Sequence, residues 1–223
     1  MKRIQIPTGK CACCGSDYEK AAMAKHLISC QQKDNSVKKP ETQKAGTFHI
    51  MVEGDGLPQY WLYLAAKTNA KLKQLDDFLR NIWLECCGHM SAFEIAGTRY
   101  YVTSDTELGG ENMNIGLGKV LCVGTKFSHK YDFGSTTRLV LKVLSKQEDE
   151  NTGQSIKLLA RNNPPEIVCQ LCGQPATELC TECVWSARKG IFCNKCAKSH
   201  EFHRDMFLPV VNSPRVGVCG YTG

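Results

Sequence analysis

The sequence predicts an α+β fold: a mostly antiparallel sheet with one principal helix, flanked at both ends by small cysteine-rich modules. Three observations predict it. Fourteen cysteines in 223 residues fall largely into C-x-x-C pairs near the two ends. Between them lie short runs rich in β-branched and aromatic residues, separated by Gly/Pro turns. One segment, residues 70–88, carries its apolar residues at helical spacing.

The first element, "CACCGSDYEKAAMAKHLISC", offers Cys11, Cys14, His26 and Cys30: a C-x-x-C pair, eleven intervening residues, then H-x-x-x-C. His26 and Cys30 are one helical turn apart and can point at one ion. Cys14 has the knuckle spacing and is followed by Gly15; Cys13 is the alternative ligand and is otherwise left as a free thiol. Tyr18 and Met23 stand where small fingers place their core. In DNA-reading fingers the base-contacting positions, counted back from the first histidine, would here be Glu19, Ala22 and Lys25. Ala22 has nothing to donate and Glu19 can only accept, so sequence-specific reading is not expected. Loose, non-specific nucleic-acid contact through Lys2, Arg3, Lys10, Lys20 and Lys25 stays open.

Residues 31–46 are charged and lack aromatic residues, which marks a flexible linker after a finger at residues 1–30. Such a coil reaches about 20 to 24 Å, so the finger could lie near the next domain without being fixed to it. The central domain, residues 47–161, opens with "TFHIMVEG", "DGLP" and "YWLYLAA", a hairpin pattern. A helix follows, with Thr68 or Asn69 as N-cap. Leu72, Leu75, Leu79 and Ile82 form its stripe, with Phe78 and Trp83 beside it; Lys71, Lys73, Asp76, Asp77 and Arg80 lie on the other face, and Gly88 stops it. "SAFEI", "TRYYVT", "FSHKYDF", "TRLVLKVLS" and "SIKLLAR" read as further strands, with a Gly-rich loop around "ELGGENMNIGLG". A β-grasp-like arrangement fits this order.

Residues 162–223 hold "CQLCGQPATELCTECVWSARKGIFCNKCAKSHEFH". The ligands read C-x-x-C, seven residues, C-x-x-C, nine residues, C-x-x-C, three residues, H-x-x-H: eight donors, enough for two complete sites. Zinc suits them, because four tetrahedral bonds to thiolate or imidazole tie together segments too poor in apolar mass to fold alone. Cys169, Cys172, Cys180, Cys183, Cys193, Cys196, His200 and His203 are the candidates. Their order alone permits sequential or alternating pairing. With the N-terminal set, about three zinc ions per chain are expected.

No apolar run has the length of a signal peptide or membrane span, which points to a cytoplasmic protein without membrane attachment, where paired cysteines serve metals rather than disulfides. Residues 1–46 carry nine Lys/Arg against four Asp/Glu, and the remainder 19 against 18. Nine ligand thiolates holding three doubly charged ions lower the formal charge from +6 to +3, which weakens the case for a strongly basic nucleic-acid surface.

Two resemblances follow from these residues. The spacing from Cys169 to His203 resembles the B-box class of cross-braced zinc domains. That resemblance implies one ion on Cys169, Cys172, Cys193 and Cys196, and another on Cys180, Cys183, His200 and His203. The stretches "HIMVEGDGLPQYWLYLAAKTNAKLKQLDDFLRNIW" and "VGTKFSHKYDFGSTTRLVLKVLS" are similar to the plasmid Ri ORF-three-like family, over roughly residues 47–161. Tyr131-Asp132-Phe133-Gly134 is the most specific element. The resemblance implies a compact α+β domain and carries no secure activity with it. Many members continue the motif with an acidic residue and a tryptophan; here Ser135, Thr136 and Thr137 stand instead.

Other motifs read blandly. "DFG" lacks the rest of a kinase, and "GLGKV" lacks the glycine pattern and strand-to-helix setting of a phosphate loop. Asp132 reads as a turn residue, and His49 and His129 as structural histidines. Cys86, Cys87 and His89 could suggest another metal site, but vicinal cysteines at the end of an apolar helix read rather as core or edge residues; Cys122 reads as core and Cys219 as a tail residue. Three functions remain: a non-enzymatic zinc-stabilised adaptor with a protein partner, a nucleic-acid-associated accessory factor of a mobile element, and an enzyme with a site near His129, Tyr131 and Asp132. The first is favoured, because ligand sets filled by four protein donors leave no position for a reacting water.

Overall fold

In the computed structural model, residues 7–34, 46–102, 109–148, 153–200 and 204–223 are described. The elements are β1 (Thr8–Cys11), β2 (Asp17–Glu19), α1 (Lys20–Asp34), β3 (Gly46–Gly54), β4 (Leu57–Lys67), α2 (Leu72–Leu79), β5 (Ser91–Ile95), β6 (Thr98–Tyr101), β7 (Glu111–Asn112), α3 (Leu117–Val120), β8 (Lys126–Tyr131), β9 (Thr137–Glu148) and β10 (Ile156–Asn162). They continue with β11 (Glu178–Cys180), α4 (Thr181–Trp185), β12 (Ile191–Phe192), α5 (Asn194–Lys198) and β13 (Phe207–Pro209). The chain divides into two compact units: residues 1–79 with 90–163, and residues 80–89 with 164–223.

The first unit is an α+β domain built on a mixed sheet. Among the described residues its order is β2-β1-β10-β4-β3-β9-β8-β5-β6-β7. Every pairing is antiparallel except the edge contact of β6 with β7. Where the sequence suggested a β-grasp-like order, β3 stands between β4 and β9 and is antiparallel to both. The β3–β4 hairpin turns at Asp55 and Gly56, whose φ of +69° suits glycine.

Register assigns the two faces. Leu64 lies opposite Ile50, Ile50 opposite Val143, Leu141 opposite Phe127 and Leu139 opposite His129, so these buried side chains share one face. Helix α2 packs on that face, because Asp76 of α2 bonds His129 Nε2 at 2.7 Å. Trp61 and Tyr63, which alternate with Leu62 and Leu64, point to the opposite face.

Helix α2 departs from its predicted form in two ways. Its N-terminus is set by Gln74, whose Oε1 accepts the Lys71 N–H at 2.9 Å, so Lys71 occupies the cap expected at Thr68 or Asn69. Residues Arg80–Leu84 then form a π-turn, with the Glu85 N–H reaching the Arg80 carbonyl at 2.8 Å. The extra residue rotates the stripe, so Trp83 is fully buried while Ile82 is only half-buried. Asp76, expected on the polar face, is also fully buried.

The N-terminal finger is joined to this sheet, which corrects the expectation of a module free to move beside it. Strand β1 hydrogen-bonds to β10, with Cys11 opposite Ala160. Met23, Leu27 and Cys30 of α1 close over Trp61, Tyr63, Leu159 and Ala160, so the finger borrows its core from the sheet. Helix α1 continues to Asp34, inside the segment read as linker; residues 35–45 of that linker lie outside the described residues. A Cβ on Gly9 would stand 2.3 Å from Trp61 Cη2 and 2.4 Å from the Arg161 carbonyl, and the backbone oxygen cannot yield. Gly9→Ala is therefore expected to destabilise the β1–β10 pairing by about 1 to 3 kcal/mol, read as a lower denaturant midpoint.

The second unit carries a small sheet in which β11 pairs with β12 and β13. Its buried cluster is Cys169, Cys180, Cys183, Phe192 and Ala197, with Cys193, Cys196 and Phe207 packed against it. Sulfur thus takes the place that aliphatic side chains hold elsewhere. No helix among the described residues is long and apolar enough to cross a membrane.

Candidate metal centres

Four groups of cysteine and histidine bring their ligand atoms within 4.8 Å of one another among the described residues. Each is positioned to bind a metal ion.

The first group is Cys11, Cys14, His26 and Cys30. Strand β1 delivers Cys11, and Gly15 at φ +73° turns the chain so that the Gly15 N–H bonds back to the Cys11 carbonyl at 2.9 Å. Helix α1 supplies His26 and Cys30 from one face. Cys14 Sγ stands 3.3 Å from His26 Nε2, and Tyr18 stacks on the imidazole at 4.1 Å between centroids. Cys13 is exposed and outside the group. Hydrogen bonds with Ser16 hold the Cys14 thiol down at about 6, whereas burial pushes Cys30 up to about 12.

The C-terminal ligands fall into alternating groups. Cys169, Cys172, Cys193 and Cys196 make one, with Cys172 Sγ 3.6 Å from both Cys193 Sγ and Cys196 Sγ. The first knuckle closes through Gly173 at φ +73°, whose N–H bonds the Cys169 carbonyl at 2.9 Å. In the second knuckle the Ala197 N–H bonds the Cys193 carbonyl at 2.9 Å, at the start of α5. Burial raises the Cys169 thiol, but backbone hydrogen bonds from Cys193, Leu171 and Cys172 outweigh it and bring the thiol down to about 6. The hydrogen bond with Cys172 pushes Cys196 up to about 12, with burial adding to it.

Cys180, Cys183 and His200 make the other group, with Cys183 Sγ 3.6 Å from His200 Nε2. Phe192 lies 5.0 Å from the imidazole and Phe207 lies 5.5 Å away, which fixes the ring's plane. His203 lies outside the described residues.

The fourth group is Cys86, Cys87, His89 and Cys219, which corrects the reading of the first three as core or edge residues: Cys87 is exposed, Cys86 and His89 are half-buried, and Cys219 completes the set. Sequence order separates Cys219 from the other three by more than a hundred residues, and nothing in the tail's pattern announces the return.

The remaining candidate residues have structural partners. His129 and Asp76 are both fully buried and bonded to one another. Asp132, at φ +65°, accepts the N–H groups of Gly134 at 3.0 Å and Ser135 at 3.2 Å, which makes it the turn residue before β9. Tyr131 is fully buried. The hollow nearest this motif, lined by Phe93, Glu94, Arg99, Tyr101, Lys130 and Phe133, holds the Lys130–Glu94 ion pair at 3.3 Å. His49 Nδ1 meets Ser145 Oγ at 3.2 Å. Cys122, read as core, is exposed. Of the basic residues near the finger, Lys10 pairs with Asp17 at 3.2 Å and Lys20 pairs with Glu53. Lys25 is exposed, Glu19 lies on β2 rather than on the helix, and Lys2 and Arg3 lie outside the described residues.

No family model matches the chain, and no curated protein matches it. Among solved structures, a protein of unknown function from Methanosarcina mazei Go1 is similar at 14% identity and a TM-score of 0.46, over 52% of this chain and 69% of that one.

Proposed function

We propose that the protein is a non-enzymatic, zinc-stabilised interaction protein. In this reading zinc occupies the finger and both groups of a B-box-like C-terminal module, His203 completes the set of Cys180, Cys183 and His200, and the central domain belongs with the plasmid Ri ORF-three-like proteins it resembles. The observation that carries it is Trp185, at the end of α4: its side chain is 65% exposed, two residues from the buried ligand Cys183. A tryptophan held in solvent on a metal-braced helix has the chemistry of a binding anchor, a large rigid apolar surface with little conformational entropy left to lose. Val184 and Leu171 of the same unit are exposed as well. The donor chemistry agrees, since sets of four cysteines, of three cysteines and one histidine, or of two cysteines and two histidines leave no open position at which zinc could activate water.

The test compares the zinc-loaded full chain with Trp185→Ala as baits in an extract of the cells that make the protein. Trp185→Ala is expected to change stability by less than about 0.5 kcal/mol, because the side chain contacts mostly water. It is expected to lose the partner that the parent chain retains. Retention of the same partner by Trp185→Ala contradicts the assignment of that surface. Retention of nucleic acid instead, weakening steeply with salt, favours the accessory-factor reading.

A further inference from the structure

We propose that Cys86, Cys87, His89 and Cys219 form a fourth metal site, for zinc or a similarly thiophilic divalent ion, which clamps the C-terminal tail to the segment following α2. The proposal is independent of the interaction reading above. All four residues belong to the second compact unit, so the site lies inside one folded body.

The geometry is that of a ligand shell. Bonds of about 2.3 Å to sulfur and about 2.0 Å to nitrogen, spread tetrahedrally, put neighbouring donors roughly 3.5 to 3.8 Å apart. Here Cys86 Sγ and Cys87 Sγ are 3.4 Å apart, Cys87 Sγ and Cys219 Sγ 3.6 Å, and Cys219 Sγ and His89 Nε2 3.5 Å. Cys87 Sγ and His89 Nε2 are closer, at 2.9 Å. The Cys87–Cys219 separation equals the 3.6 Å seen between Cys172 and each of Cys193 and Cys196 in the all-cysteine group, whereas the Cys87–His89 separation is shorter than a tetrahedral shell would set.

The backbone is arranged to bring these donors together. Gly88, at φ +74°, reverses the chain between Cys87 and His89, and its N–H is held by Glu85 Oε1 at 2.6 Å. Glu85 is itself fixed by the Arg80 Nε–H, which donates to Oε2 at 2.6 Å. Cys219 sits at φ +56°, a left-handed conformation that costs a non-glycine residue of order 1 to 3 kcal/mol and is kept where something compensates for it. A metal bond at that side chain would compensate.

Charge supports the same reading. The fully buried Arg215 donates from Nη2 to Cys86 Sγ at 3.4 Å. Three thiolates and a neutral imidazole around a divalent ion leave one negative charge, and the guanidinium beside Cys86 balances it. The tail approaches along the same path: Ser213 Oγ–H donates to the Trp83 carbonyl at 2.6 Å, and the Arg215 N–H donates to Ser213 Oγ at 2.9 Å. Ser213, Arg215 and Cys219 thus meet residues 83, 86 and 87 in succession.

Two measurements on the full-length protein test it. Metal analysis by native mass spectrometry is expected to show one ion fewer in Cys219→Ser than in the parent chain; equal content overturns the site. Because a substitution could also disturb folding, the second measurement uses the parent chain alone. Cys219, like Cys13, is exposed, so burial does not separate the two as free thiols. In the metal-loaded protein Cys13 is expected to react at once, while Cys219 reacts only after a chelator is added. Immediate alkylation of Cys219, or a disulfide joining any two of Cys86, Cys87 and Cys219, overturns the proposal. Loss of zinc from the Cys169 or Cys180 groups with Cys219 still protected would instead count against the B-box-like reading.

Discussion

Cys180→Ser is expected to unfold residues 164–200 while the sheet of the first unit keeps its protection against amide hydrogen exchange. Cys180 is fully buried at the end of β11, and its N–H bonds the Gly190 carbonyl at 2.8 Å. Among the described residues, the cluster around it draws on Phe192, Ala197 and Phe207 besides its cysteines. Burying one such phenylalanine contributes roughly 1.5 to 3 kcal/mol. Ordering the backbone costs about 1 to 2 kcal/mol for every residue. A structural zinc ion supplies about 10 to 16 kcal/mol of apparent binding energy at neutral pH, which is the largest available term. Serine keeps the approximate shape of the side chain and removes the thiolate, so the larger part of the effect is expected from the lost metal bond, with about 1 to 3 kcal/mol added by the buried hydroxyl. The sheet has its own interior in Ile50, Val52, Leu62, Leu64, Leu139 and Leu141, all fully buried, and should not follow. Mass-resolved exchange of the full chain reads both halves at once; unchanged protection at Leu179 to Cys183 would sink the prediction.

The second large effect is expected at Asp76. Asp76→Ala should lower stability by about 3 to 5 kcal/mol, because it leaves His129 buried opposite a void where its 2.7 Å partner stood. Replacing both residues with leucine removes the polar groups together, so the double variant is expected to lose less than Asp76→Ala alone. Denaturant unfolding with the three chains side by side decides it. A double variant weaker than the single one would mean that the pair stabilises the fold beyond satisfying its own desolvation.

These two sites differ in how far the chain itself reveals them. Ligand spacing is local chemistry: a C-x-x-C knuckle must turn tightly, and a histidine and cysteine one helical turn apart must share a face, so the members of three groups can be picked out residue by residue. The hairpin at Asp55 and Gly56 and the apolar stripe from Leu72 to Leu79 are legible for the same reason, since period and turn chemistry are short-range. Three features depend on distant contacts and left no such trace. Asp76 looks solvated on a helical wheel and is buried only because His129 arrives from β8. The finger's apolar residues are too few for a core of their own, and the deficit is met by Trp61 and Tyr63, which a strand pattern alone cannot assign to either face. Cys86, Cys87 and His89 stand together in the sequence, but the fourth donor, Cys219, comes only from a tail that returns to them, and that return has no spacing rule.

The account rests on metal ions bound entirely by protein sulfur and nitrogen, standing in for apolar interior. X-ray absorption at the zinc edge of the full-length protein tests this most directly. The predicted result is a first shell of sulfur at about 2.3 Å with nitrogen at about 2.0 to 2.1 Å, four donors per ion and no water oxygen. A shell containing an oxygen from solvent, or protein that carries no zinc and joins these cysteines in disulfides, would contradict it.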